Sequence, residues 1–70
     1  MADIRSEMMG SVVRIPVTEG SRLAAGDTVA VIECMKTEIP ILAERAGTVT
    51  KVAVAEGAAV ENGDLLVVLD

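Results

Sequence analysis

Seventy residues allow one small domain, near the lower limit at which an apolar core holds a fold without help. One cysteine and no histidine provide neither an intrachain disulfide nor a structural zinc site, so stability must come from aliphatic packing in a chain that is 51% hydrophobic and has no aromatic residue. Six basic and eleven acidic residues give a net charge of −5 without any basic run, which argues against nucleic acid as a partner. No apolar stretch approaches the ~20 residues of a membrane span, and Met1-Ala2-Asp3-Ile4-Arg5 lacks the apolar core of a signal peptide. The expectation is a soluble, cytosolic protein, a setting that suits the lone thiol of Cys34.

Taken in chain order, the segments read as strands and turns. Asp3 to Glu7 is a first short strand, and the valine-rich Ser11 to Val17 a second. Glu19-Gly20 and Ala25-Gly26-Asp27 are turn signals, where glycine takes the positive φ that other residues resist. Thr28 to Glu33 is a third strand, ending at Cys34-Met35-Lys36-Thr37. Glu38 to Leu42 follows, and Pro40, with no amide hydrogen to give a sheet, predicts that this strand lies at an edge or turns that position outward. Thr48 to Val54, the turns Glu56-Gly57 and Asn62-Gly63-Asp64, and Leu65 to Asp70 complete the chain. The spacers between the glycines are too short for a helix, and β-branched residues suit pleated surfaces.

An internal repeat organises these elements. Setting residues 10–33 over residues 47–70, a shift of 37 without a gap, matches Gly10/Gly47, Val12/Val49, Val17/Val54, Glu19/Glu56, Gly20/Gly57, Gly26/Gly63, Asp27/Asp64 and Val31/Val68. The same shift places Ile4 over Ile41 and Glu7 over Glu44. Apolar positions at 12, 15 and 17, and again at 49, 52 and 54, break strict alternation and predict a bulge at one place in both units. Two β units that must each hide an apolar face predict a flattened barrel or sandwich with pseudo-twofold symmetry. Lys36 shifted by 37 falls just beyond either end of the chain, so the termini are expected at the pole opposite the lysine.

Met35-Lys36 is then the tip of the hairpin joining the halves. Two-residue hairpin turns need positive φ and recruit Asn-Gly or Asp-Gly; this pair supplies neither. Local turn chemistry is violated where function outweighs stability.

Glu33-Cys34-Met35-Lys36-Thr37-Glu38-Ile39-Pro40, with Val-x-Glu-Gly and Gly-Asp turns on both sides, resembles the biotinyl/lipoyl attachment domain, most closely a small single-domain biotin carboxyl carrier. The resemblance covers nearly all of residues 1–70 and implies a barrel-sandwich hybrid of two pseudo-twofold-related four-stranded units. In that family the lysine after methionine at the hairpin tip is biotinylated, and Met35-Lys36 matches that pair. The usual tetrapeptide is Ala-Met-Lys-Met; Cys34 replaces its alanine and Thr37, the larger departure, its second methionine. Lipoyl domains more often carry an acidic residue before the lysine, so Met35 favours biotin over lipoate.

The resemblance implies a carrier rather than an enzyme. No acid–base pair, metal set or nucleophile with its own base is visible in the chain. A surface ammonium is not a pre-activated nucleophile, so activation comes from a partner. A biotin protein ligase would form biotinyl-adenylate, and the Lys36 amine would attack it to leave an amide, taking the net charge from −5 to −6. Biotin carboxylase and carboxyltransferase are the implied further partners, between which the biotin carries a carboxyl group.

Several residues have plainer readings beside these. Cys34 is a small packing residue rather than a redox centre, since no resolving cysteine exists. Glu33 and Glu38 flank the tip as ligase contacts or as solvated charge. A lipoyl carrier, and an unmodified interaction module of the same fold, are the alternative functions. The equal lengths of Val17 to Val29 and Val54 to Leu66 leave no room for the protruding thumb that some biotin domains insert, so a tip open on all sides is expected. The lack of an Ala/Pro-rich linker before residue 10 favours a free-standing carrier.

Overall fold

Residues 2–70 are described by a computed structural model in which every regular element is a strand. The strands are β1 (Ala2–Arg5), β2 (Gly10–Arg14), β3 (Arg22–Leu23), β4 (Thr28–Cys34), β5 (Thr37–Leu42), β6 (Gly47–Val52), β7 (Ala59–Val60) and β8 (Leu65–Leu69). They form two antiparallel four-stranded sheets, ordered β1-β8-β6-β3 and β5-β4-β2-β7. Among the described residues no helix is long and apolar enough to cross a membrane.

The sequence repeat becomes a pseudo-twofold axis that exchanges the sheets. The shift of 37 carries β1 to β5, β8 to β4, β6 to β2 and β3 to β7. It also carries hydrogen bonds onto each other. The Gly57 amide donates to the Val12 carbonyl at 2.7 Å, and the Gly20 amide to the Val49 carbonyl at 2.8 Å. The Asp27 carboxylate accepts from the Ala24 amide, and the Asp64 carboxylate from the Glu61 amide, both at 2.8 Å. These aspartates close their turns locally, each accepting from the amide three residues before it, and the next residue starts β4 or β8. The four turn glycines take φ between 89° and 94°.

The expected bulge is present in both units, where the register shifts between Val12 and Arg14 and between Val49 and Lys51. Pairing continues for only one or two residues beyond it. β2 and β6 therefore stop short of Val17 and Val54, although Val17 still turns into the core. The spacers expected to be turns alone also contain the two-residue strands β3 and β7, which pair with β6 and β2. Pro40 lies on β5, the edge of its sheet, opposite Val31.

The core lies between the sheets and is aliphatic, with Val29, Ile32, Leu66 and Val67 wholly buried. Each such side chain stabilises the fold by about 1.5–3 kcal/mol relative to exposure. Ser6, the buried polar residue, is satisfied: its hydroxyl donates to the Met8 carbonyl at 2.6 Å.

The site is positioned by where the β4–β5 hairpin begins and ends. Its base is tied by the Ala43 amide to the Asp27 carbonyl and by the Gly26 amide to the Ala43 carbonyl, both 2.8 Å. Close by in the chain, Leu23 pairs with Gly47, and the Asp70 amide donates to the Thr48 carbonyl at 2.8 Å. Ala2 pairs with Leu69. Both chain ends therefore gather at the base of the hairpin. Strands rise ~3.3 Å per residue, so β4 carries its far end roughly 20 Å away along a body whose long axis is 31 Å.

Candidate functional site

At that far end Cys34 pairs with Thr37, and Met35 and Lys36 form the two-residue turn between them. Met35 has φ 52° and Lys36 φ 65°. Both lie in the left-handed region, which is the backbone that a tight hairpin with the natural twist of β-strands requires. Neither residue is suited to it, and for such residues the left-handed conformation costs roughly 1–2 kcal/mol each. The six-residue ladder of β4 against β5 holds the tip in place.

The turn projects its side chains outward. Met35 is 92% exposed, the most exposed of the large apolar side chains, and Lys36 is exposed beside it. Cys34 is a free, half-buried thiol. Glu33 and Glu38 stand directly opposite each other one step below the tip, both exposed. Like charges facing across a ladder repel. Lys36 is the one basic residue between Thr28 and Glu44, so its ammonium is the nearest positive charge along the hairpin.

All six residues singled out in the sequence, Glu33 to Glu38, are thus brought together on one hairpin end. The equal loop lengths hold as well, with no insertion between β2 and β3. The tip is nevertheless not alike on all sides. Pairing of Gly10 with Val60 and of Ser11 with Ala59 draws Met9 and the β7 segment alongside the hairpin. Those neighbours are distant in sequence, and only their departure from the repeat could have marked them. A second cleft, of about 530 Å³, runs between edge strands β1 and β5. It lies along the flank of the body, and the tip residues take no part in its lining. Among the described residues no group of three His, Cys, Asp or Glu side chains could hold a metal ion.

The described β body thus bears an exposed amine at a strained tip, at the end opposite Ala2 and Asp70. Residues 2–69 match the family model described as biotin-requiring enzyme. The chain belongs to this family. Within it, the biotinylated protein TB7.3 homolog of Mycolicibacterium smegmatis is 52% identical over 41 residues, which are 59% of this chain and 58% of that protein. The chain thus spans less than two thirds of that relative's length. A pyruvate carboxylase polypeptide of Methanothermobacter thermautotrophicus is 51% identical over 35 residues, 50% of this chain and 6% of that one. In the crystal structure of Kluyveromyces lactis urea carboxylase, a segment superposes with a TM-score of 0.92 and 36% identity, covering 99% of this chain and 6% of that one. The biotin-requiring family accounts for the sandwich, its two sheets and biotin as the group concerned, as the tip motif led one to expect. The chain is a biotin attachment domain homologous to domains within carboxylases.

Proposed function

We propose that residues 1–70 serve as one biotin carboxyl carrier domain and that Lys36 is the attachment position. The observation that carries this reading is the tip itself: an exposed lysine at φ 65° in a two-residue turn, where asparagine or glycine would be the stable choice. Strain is kept at a functional position because the surrounding ladder over-determines it. In this reading the amine is presented clear of the body, and a partner's active site can close over it without meeting either chain end.

Attachment needs a partner that activates the acyl group, since a free carboxylate has no leaving group that an amine can displace. The Lys36 amine, once deprotonated in a biotin protein ligase, attacks the acyl carbon of biotinyl-adenylate. The carbon–nitrogen bond forms, the acyl–phosphate bond breaks, and AMP leaves. Met35 and Thr37 flank the amine and would contact that ligase first; Cys34 sets the last pair of the ladder, and Glu33 and Glu38 offer acceptors to a basic partner surface. When attached, biotin supplies a ureido nitrogen that takes up a carboxyl group at biotin carboxylase and releases it at carboxyltransferase. The chain's own part is to hold the tip rigid while the arm above it moves.

Incubation with a biotin ligase, biotin and ATP is expected to raise the intact mass by one biotin less one water. Lys36→Ala is expected to stay at its starting mass. Incorporation into that variant would refute the assignment of the position. Gain of mass with a lipoate ligase instead would make the chain a lipoyl carrier, and no gain with either would leave an unmodified interaction module.

A further inference from the structure

The pseudo-twofold gives most residues near the tip a counterpart at the opposite pole, and the comparison isolates what is particular to the end bearing Lys36. A cleft of about 510 Å³ opens beside the hairpin, between the tip, β2 and β7. Its walls include Met9, 68% exposed, and Met35, while buried Val60 forms part of the floor. Gly10, Ser11, Cys34 and Ala59 complete the lining. Glu33 and Glu61 stand at the rim, both exposed. Neither is in an ion pair; among the described residues that role falls to Arg5 and Asp3.

At the opposite pole, Met9 corresponds to Ala46, Ala59 to Arg22 and Glu61 to Ala24. The unit at the tip has therefore gained an apolar wall, lost a bulky cation and gained a carboxylate. These three differences together make an open apolar shelf ending in hydrogen-bond acceptors. They occur beside the one hairpin tip that carries a lysine.

We propose that this cleft is the resting place of the biotin head group tethered at Lys36, an inference that rests on the attachment reading above. Met35, a wall of the cleft, immediately precedes Lys36, so the tether delivers the group to the shelf at high effective concentration and few contacts are enough to hold it. The aliphatic arm and sulfur-containing ring lie against Met9, Met35 and Ala59. Methionine is flexible and polarizable and adapts to such a shape. The two ureido N–H groups donate to the carboxylates of Glu33 or Glu61, a charge-assisted bond. Such a hold is reversible, as a carrier requires.

The test is NMR on the biotinylated chain, with intact mass confirming the adduct. Cross-relaxation from biotin ring protons to the Met9, Met35 and Ala59 methyls is expected. Ala59→Arg is expected to fold, because the same fold holds Arg22 at the equivalent place, and to lose these cross-peaks while still gaining the mass of biotin. An adduct whose spectral changes stay within residues 34–38 would overturn the resting site and leave the attachment reading intact. Absence of any adduct would overturn both. Slower attachment in Ala59→Arg, with no cross-peaks in the unsubstituted chain, would assign the cleft to the ligase and overturn the proposal.

Discussion

The tip turn is the place where stability and function pull apart most measurably. Replacing Met35 and Lys36 by Asn-Gly keeps the backbone and removes the unsuited side chains from φ 52° and 65°. Glycine at position 36 is relieved of the whole cost of roughly 1–2 kcal/mol and asparagine at position 35 of about half of it. Against this, the new glycine adds freedom to the unfolded chain, about 0.5–1 kcal/mol. The net gain is on the order of 1–2 kcal/mol, and in a domain of this size each kcal/mol moves Tm by roughly 4–8 °C. A rise of roughly 5–15 °C is therefore expected by calorimetry, with a parallel increase in the urea midpoint and complete loss of biotin attachment. Lys36→Ala is the control: alanine relieves no left-handed strain, so its Tm is expected to stay almost unchanged while attachment is equally lost. If Met35→Asn/Lys36→Gly melts no higher than Lys36→Ala, strain is not stored at the tip and the physical reason given for an unsuited turn fails.

Gly10→Ala is expected to cost about 1–3 kcal/mol or more, since the new methyl runs into the Glu33 carbonyl of β4 and the buried Ile32 side chain. Gly47→Ala is expected to cost less, because its new methyl meets the carbonyl of Asp70 at 2.8 Å, a milder overlap than the one at Gly10; equal losses in urea unfolding would contradict this. Asp27→Ala and Asp64→Ala remove equivalent 2.8 Å bonds and are expected to cost about 1 kcal/mol each, in near-equal amounts. A difference above about 1 kcal/mol between them would show that the two units are not energetically equivalent. Thr37→Met is expected to speed attachment by the ligase, measured as initial rate at fixed chain concentration; an unchanged rate would make the departure neutral.

The repeat predicts the whole more accurately than the valine-rich segments predict their own strands. β2 and β6 are shorter than those segments, because pairing runs only one or two residues past the bulge after Val12 and Val49, while residues such as Val17 remain buried. Burial and pairing are separate properties, and apolar sequence reports burial. The strands β3 and β7 are not legible in the sequence for a related reason. Two residues are too few for periodicity, and their existence depends on the neighbours β6 and β2.

Local chemistry and the repeat were enough to determine the tip. Glycine and aspartate at equal offsets set the turns, the shift of 37 set the pseudo-twofold, and Met35-Lys36 stood out as a turn without turn residues. These features are encoded by residues near one another or by their copies. Only the tertiary structure decided how the copies combine. Each sheet takes two strands from each half, so β1 and β3 pair with β8 and β6 rather than with strands of their own repeat. That exchange is what lays Met9, Ala59 and Glu61 beside Lys36. Long-range pairing is chosen by the burial of both apolar faces at once, a property of the assembled body that no single segment carries.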